Sequence, residues 1–515
     1  MNSRVRLSAA LMLVAVLSFF LWWEFRLRTP VFTISDTYRY LANGLSLLDA
    51  RHPFVEPQPY AEFSNHAAAP LRVAAYPNQL YSLSIAGLIR IASAHEGRLV
   101  LWPIWIPDMA ATVIGFCFLF LLFRHFLPEP DVWLGMAVLG FHSLLMASLI
   151  HPLADAAGWC FAMALFWFAI CRSGSPWALG AAFGLALLFR LQLLILFPFI
   201  LALAQRSSCP RKVLTGSLKA TAAMIVVVLL FEGGMKLYVQ LPPGADGDST
   251  FGSATFYVRD FSIFIAQYGR IPRALDNFAG SLLALFRPVD CRAIGLPLLL
   301  SLAVWWGKND TLLQKQARLL WMAAFAGSLL PLLVYASENN PVPQPRYQIY
   351  SIPVYVLVAL FSLNRLGALF AKRYLCITLK GLLVILTVAG CVKFTGQSGL
   401  SRPPVYGSLE DVFAELENLP HLLVQRNMPP DGRYLVKATM QAFLPNSHEV
   451  LLPAIPEFRT GQRNHELDGL ILRRKGDWRR IGPVIEDDRG VRFLRVYAGS
   501  GKGELLIYKR EPSSQ

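Results

Sequence analysis

Hydrophobic and polar positions in this chain segregate on the scale of whole helices. Apolar runs of about 18 residues or more recur through the first 395 residues, each long enough to cross the hydrocarbon of a bilayer. The pattern predicts helices at 7–23, 99–123, 131–150, 154–171, 176–189, 192–204, 217–240, 290–306, 318–336, 347–364 and 375–395. Between the first and second runs lies a polar stretch, 24–98. Within it, Tyr38 to Leu48 and Gln79 to Ala94 have one-sided helical spacing and read as short helices on a membrane surface, separated by Pro57, Pro59, Pro70 and Pro77. The tail 396–515 changes character. It is polar, with short β-like runs at Tyr434–Lys437, Val450–Leu452, Leu470–Leu472, Phe493–Val496 and Leu505–Tyr508, the last two forming a hairpin. These patterns predict an α-helical polytopic membrane protein of about eleven transmembrane helices. Residues 1–395 form a membrane domain with a long first outer loop, and 396–515 a small α/β domain outside the membrane.

One apolar run is ambiguous. Trp177 to Ala204 could be a single helix, but Arg190 and Gln192 fall in its middle, where a guanidinium in hydrocarbon is costly. Two short helices meeting at Arg190 remove that cost. Charge supports the split. With the N-terminus inside, the inner connections then hold Arg124; Arg172; Arg206, Arg211, Lys212 and Lys219; Lys308, Lys315 and Arg318; and Arg365, Lys372, Arg373 and Lys380. A merged helix would send the 206–219 cluster to the other side. The split topology places 24–98, the turn His151–Asp155, 241–289, 337–346 and the tail on the outer face.

Composition agrees: 55% of residues are hydrophobic and 16% charged, with mean hydropathy +0.44, beyond the range of soluble domains. The net charge of +15 is accounted for by inner loops and anionic headgroups, so no nucleic-acid partner is implied. Seven scattered cysteines form no CxxC pair and read as core or lipid-facing residues. Arg4 and Arg6 precede the first apolar run, which ends in aromatics with no small-x-small site, so it is expected to be a retained helix rather than a signal peptide. Gly499–Gly503 lacks the phosphate-loop spacing and sits between strands. No internal repeat is visible.

The candidate chemistry lies at the outer mouths. Asp36, in Ser35-Asp36-Thr37-Tyr38-Arg39-Tyr40, follows the first helix directly; it caps the surface helix, acts as a base, or does both. Asp155 caps helix 154–171, pairs with an arginine, or shares a metal with His151 at i,i+4. Arg190, with Gln192 beside it and Pro198 beyond, either makes a structural salt bridge, with Asp155 a candidate partner, or holds an anion. Arg346, just before helix 347–364, has the same two readings, a structural salt bridge or an anion, and the helix dipole favours an anion there. Asp108 reads as buried or near the outer end of its helix, in a structural role. Arg259, Arg270 and Arg273 are weaker candidates, solvated loop charges by default, and Trp102 and Trp105 read as interface anchors.

In order and local motif the chain resembles the GT-C glycosyltransferases, membrane enzymes that use polyprenyl-phosphate sugars. The likeness runs over residues 1–395: the acidic motif at Asp36 after helix one, the acidic turn His151–Asp155, the Arg190-x-Gln192 pair with Pro198, and Arg346-Tyr347 with Pro353 before a late helix. Many relatives with protein acceptors carry paired acids in the first loop, whereas Thr37 follows Asp36 here. The resemblance implies an inverting transfer from a polyprenyl-phosphate-linked sugar to a glycan, lipid or protein hydroxyl. Asp36 and Asp155 would be catalytic. Arg190 and Arg346 would hold the donor phosphate, and Tyr38, Arg39, His151, Gln192 and Tyr347 the substrates. No cofactor is required, with a divalent metal left open, and the expected setting is a bacterial inner membrane with a periplasmic site. A lipid-linked oligosaccharide flippase or transporter, a polysaccharide polymerase or ligase, and a non-catalytic scaffold are the rival readings.

Overall fold

The structure, a computed structural model, describes residues 8–18, 20, 35–51, 60–65, 78–96, 100, 102–150, 154–171, 175–205, 209–240, 279–280, 283, 285–286, 289–306, 311–337, 348–370, 373–397, 416, 418–436, 443–444, 447–473, 478, 480–499 and 505–512. In chain order, α1 (Ser8–Ser18) is followed by α2 (Ser35–Ala50), α3 (Tyr60–Asn65) and α4 (Gln79–Glu96). The apolar helices are α5 (Ile106–Phe126), α6 (Glu129–Gly140), α7 (Ser143–Ile150), α8 (Ala154–Cys171), α9 (Pro176–Phe189), α10 (Phe197–Ala204) and α11 (Pro210–Tyr238). After them come α12 (Val289–Ser301), α13 (Leu312–Ser337), α14 (Ser351–Phe370) and α15 (Arg373–Gln397), then the small α16 (Leu419–Gln425) and α17 (Ile455–Arg459).

Among the described residues, five helices are long and apolar enough to cross a membrane: Trp102–Phe126, Ala154–Cys171, Pro210–Tyr238, Ser351–Ala368 and Tyr374–Lys393. The chain is an integral membrane protein. Shorter apolar helices, among them Pro176–Phe189 and Leu191–Ala204, lie between them.

Contacts divide the chain into two compact units. The first holds residues 1–29, 105–231 and 257–401, and the second 30–104, 232–256 and 402–515. In the first, α5 and α8 pack through Gly115 and Trp159, and Phe116 lies 5.0 Å from Trp159, centroid to centroid. Prolines open several of its helices: Pro107, Pro130 and Pro176 sit at first-turn positions, where a missing N–H costs nothing. A single helix over 131–150 is not what forms. The chain breaks at Phe141-His142, because the His142 ring accepts the Leu145 N–H at 3.3 Å and starts α7 as a cap would. Its other ring nitrogen lies 3.1 Å from the Ala293 carbonyl. Elsewhere in the bundle, Lys380 donates to Asp131 (2.7 Å) and Asn364 (2.8 Å), and Asn364 donates to Asp131 (2.7 Å), tying α15, α6 and α14 together.

The second unit is built on a six-stranded mixed sheet: β1 (Arg433–Val436), β2 (His448–Leu451), β3 (Gly469–Arg473), β4 (Val484–Glu486), β5 (Arg492–Ala498) and β6 (Leu505–Arg510), in the order β2-β1-β3-β6-β5-β4. β1 pairs parallel with β2 and β3; the remaining pairs are antiparallel, including the β5–β6 hairpin. The three-residue β4 has no counterpart among the strands expected from sequence. Ser500 to Glu504, in the turn of that hairpin, lie outside the described residues.

The first polar stretch folds with the tail. Tyr60 and Phe63 of α3 enter the sheet's core with Leu435, Phe458, Trp478 and Phe493. Phe63 lies between two guanidinium groups, 5.4 Å from Arg433 and 5.1 Å from Arg463. The Tyr60 hydroxyl donates to Asn464 Oδ1 (2.7 Å), and Asn464 Nδ2 donates to Asp487 (2.8 Å). Burial pushes the Tyr60 phenol up to about 12, so it stays a donor.

Candidate functional site

Within the helical bundle, an apolar hairpin carries the one ion pair predicted from distant sequence. Arg190 leaves the helical region (φ −155°, ψ 99°) and ends α9; a 3-10 turn, Leu191–Leu196, then leads into α10. The chain reverses there. The rings of Phe183 and Phe197 lie 4.7 Å apart, whereas 14 residues of continuous helix would separate them by about 21 Å. At the tip, Arg190 Nη2 lies 2.6 Å from Asp155 Oδ1, with side-chain exposures of 8% and 1%. Asp155 occupies the first turn of α8, where the helix dipole favours its charge.

A third element closes on this pair. Gly158, one turn after Asp155, has no room for a side chain: a Cβ there would stand 2.6 Å from the Tyr350 hydroxyl and 2.8 Å from Arg190 Cβ. Tyr350 stands immediately before α14, so three helix ends (α8, α9 and α14) meet at the Arg190 side chain. Two residues earlier, Gln348 is 1% exposed, its carbonyl accepts the N–H groups of Ser351 and Ile352, and neither atom of its side-chain amide has a partner among the described residues. Tyr350 and Gln348 were not singled out by sequence. The signal available was their place beside Arg346-Tyr347, in the approach to a helix N-terminus.

The remaining candidates fall as follows. Asp36 and Tyr38 lie in the first turn of α2, their side chains outside the described residues; Arg39 is half-buried in the same turn. Gln192 is half-buried in the 3-10 turn after Arg190. His151, Arg346, Tyr347, Arg259, Arg270 and Arg273 lie outside the described residues. Asp108 is buried in the first turn of α5. Among the described residues no group of three or more His, Cys, Asp or Glu side chains could hold a metal ion.

In the second unit, α2 and α4 run side by side in the same direction. Tyr40 packs edge-on against Tyr81 at 5.2 Å, Gly44 sits against the Ser82 backbone, and Asp49 pairs with Arg90. Their first turns are therefore neighbours. The seam between these turns is polar: Thr37, Asn78, Gln79 and Ser82 are 3% exposed or less. Asn78 donates to the Tyr40 hydroxyl at 2.9 Å. Yet Thr37 Oγ1, Asn78 Oδ1, both amide atoms of Gln79 and Ser82 Oγ have no partner among the described residues. Each buried polar atom left that way costs about 1–3 kcal/mol.

No family model matches the sequence, and no curated protein matches it. The structure is similar to that of the archaeal oligosaccharyltransferase AglB from Archaeoglobus fulgidus, solved in complex with an inhibitory peptide and a dolichol-phosphate. The TM-score is 0.52 at 11% identity, over 91% of this chain and 69% of that one. ArnT from Cupriavidus metallidurans in the apo state aligns with a TM-score of 0.40 at 12% identity, over 98% of each chain. The chain thus shares its fold with that oligosaccharyltransferase.

Proposed function

We propose that this protein is an inverting glycosyltransferase that moves a sugar from a polyprenyl-phosphate donor to a hydroxyl acceptor at the outer face of a membrane. The observation that carries this reading is the Asp155–Arg190 pair at the tip of an apolar hairpin, with Tyr350 packed beside it. The planar fork of a guanidinium suits a phosphate, the leaving group of such a donor. AglB, whose fold this chain shares, was solved with a dolichol-phosphate, a lipid phosphate of the same chemistry.

In this mechanism Asp36 takes the proton of the acceptor hydroxyl as that oxygen bonds to the anomeric carbon. The bond from that carbon to the phosphate oxygen breaks, and its electron pair leaves with the polyprenyl phosphate. No acid is needed on the leaving side, because Arg190 and Arg346 balance the charge that gathers there. Attack comes from the face opposite the phosphate, so configuration inverts. Asp155 fixes the Arg190 guanidinium, while Tyr38, Arg39, His151, Gln192 and Tyr347 contact the sugar or acceptor. The acceptor is a glycan, lipid or protein, and the setting a bacterial inner membrane.

Chain connectivity supports the reversal at Arg190. The Gln240 N–H donates to the Arg51 carbonyl at 2.7 Å, and the Arg51 guanidinium lies 5.7 Å from the Tyr238 ring. The end of α11 thus returns to the side of the first polar stretch, which requires an even number of crossings between them. A reversal at Arg190 gives an even number; one helix over 176–204 would give an odd one.

The test is consumption of radiolabelled polyprenyl-phosphate sugars by membranes carrying the parent, Asp36→Asn or Asp155→Asn. The parent consumes a donor, and Asp36→Asn slows turnover by about 10²–10⁴-fold, the usual size of a lost general base. Parent membranes that consume no donor would overturn the enzyme class. Parent-like turnover in both variants would overturn the catalytic assignment.

A further inference from the structure

We propose that the end of the bundle opposite the Asp155–Arg190 pair carries a site for one anionic phospholipid, its headgroup phosphate held by Arg318 and Arg365. The two arginines come from different helices, α13 and α14, and converge on the 3-10 turn Leu302–Trp305 that closes α12. Arg318 Nε donates to the Val304 carbonyl at 3.2 Å, and its guanidinium carbon lies 5.4 Å from the centre of the Trp305 ring. Arg365 Nη1 donates to the Trp306 carbonyl at 3.1 Å. Two guanidinium groups are thus pinned to carbonyls two residues apart. A neutral carbonyl orients a guanidinium without cancelling its charge, and the planar fork suits a phosphodiester.

Charge at this end is positive. Residues 307–318 and 364–380 hold seven lysines and arginines against one acid, Asp310. With Glu129 and Asp131 of α6 counted too, seven cations meet three carboxylates, and Lys380 already matches Asp131. The surroundings select a lipid rather than an acidic peptide or a nucleic acid. Trp306 is 68% exposed and Trp305 44%, and Leu299 and Leu302, at 52% and 44%, precede them at helical spacing. Leucine, tryptophan and then arginine follow one another along the chain as acyl chain, interface and phosphate do across a leaflet. Arg365 comes 15 residues after Tyr350, about 22 Å along α14. A phosphate held here is therefore separate from the one that leaves in the proposed transfer, and the site does not depend on that reading.

The full chain is purified in detergent and titrated with dioleoyl phosphatidylglycerol or dioleoyl phosphatidylcholine. Bound lipid is counted by native mass spectrometry, and Tm is followed in phosphatidylcholine nanodiscs. Phosphatidylglycerol binds the parent about tenfold more tightly than phosphatidylcholine, and Arg318→Gln/Arg365→Gln removes most of that preference. Arg365→Lys keeps the charge but loses the fork, and weakens binding about threefold. Because both arginines also brace the turn, Trp306→Ser is the second probe: an exposed ring is removed while its carbonyl stays, so binding falls at unchanged Tm. Arg211→Gln/Lys212→Gln, at exposed positions in the first turn of α11, binds like the parent. The site is overturned if the parent binds both lipids alike, or if the glutamine pair, Arg365→Lys and Trp306→Ser all bind like the parent. A loss confined to the glutamine pair and accompanied by a fall in Tm overturns it as well. So does an equal loss in the α11 variant, which would make the attraction a property of the whole basic face.

Discussion

Two polar clusters in this protein, one part-buried and one fully buried, are finished in opposite ways. Asp131, Asn364 and Lys380 close on one another: each amide and charge in the triangle has a partner at 2.7–2.8 Å. Thr37, Asn78, Gln79 and Ser82 are left open, with five polar atoms unmatched among the described residues. What separates the two is the matching of donors to acceptors. A closed cluster is a staple between helices, and its groups have nothing left to offer a ligand. An open one carries the cost of its unmatched atoms.

Breaking the closed cluster gives the largest stability effect. Lys380→Met leaves the Asp131 carboxylate with its cation removed at the junction of α6, α14 and α15. Removing one partner of this part-buried, hydrogen-bonded charge pair costs about 1–3 kcal/mol, while replacing the whole set with apolar groups is close to neutral. Thermal unfolding of the purified protein should show a large loss for Lys380→Met and recovery in Asp131→Leu/Asn364→Leu/Lys380→Met. A parent-like Tm in the single variant would dissolve the distinction between the clusters.

The Asp155–Arg190 pair lies between these extremes: matched to each other, yet built on a cation whose planar fork can also serve a phosphate. Gly158→Ala probes it without touching a charge. The added methyl would stand 2.6 Å from the Tyr350 hydroxyl and 2.8 Å from Arg190 Cβ, and such overpacking costs about 1–3 kcal/mol. Because Arg190 must move, the donor KM should rise more than the acceptor KM, and Gly158→Ala/Tyr350→Phe should regain part of both stability and KM. An alanine variant with parent-like Tm and donor KM would show that the three helix ends are not held together there.

How much of this was readable beforehand depends on the range of the forces involved. The limits of α8 and α9 are local: Pro152 and Pro176 mark them, and the cost of an arginine in an apolar run announces the reversal at Arg190. The break at His142 is not, since the ring that starts α7 also contacts Ala293, 151 residues away. Helix α3 is six residues among prolines, and its order comes from Phe63 lodged between Arg433 and Arg463. Tyr350 gains meaning only from Gly158, and Gln79, legible as the start of a helix, shows its unmatched amide only once α2 lies beside it.

The smallest effect concerns a third polar cluster, the one nearest water. Glu466 meets Arg463 through both carboxylate oxygens at 2.5 Å and Arg433 at 2.9 Å, and it retains about a third of its exposure. The hydrogen bond from Arg463, helped by the charges of Arg463 and Arg433 and opposed by partial burial, holds its carboxyl below the usual range. A carboxyl depressed in the folded state stabilises it above the unfolded pKa of about 4.3, and that contribution disappears as pH falls through the folded pKa. Solvent screening limits it to about 0.5–1 kcal/mol. Against Glu466→Gln, the parent should therefore unfold at a slightly higher temperature at pH 7, with the difference closing below about pH 4. A difference that stays constant down to pH 3 would mean that this carboxylate adds nothing to the docking of α3, and that a matched cluster near water is worth no more than its packing.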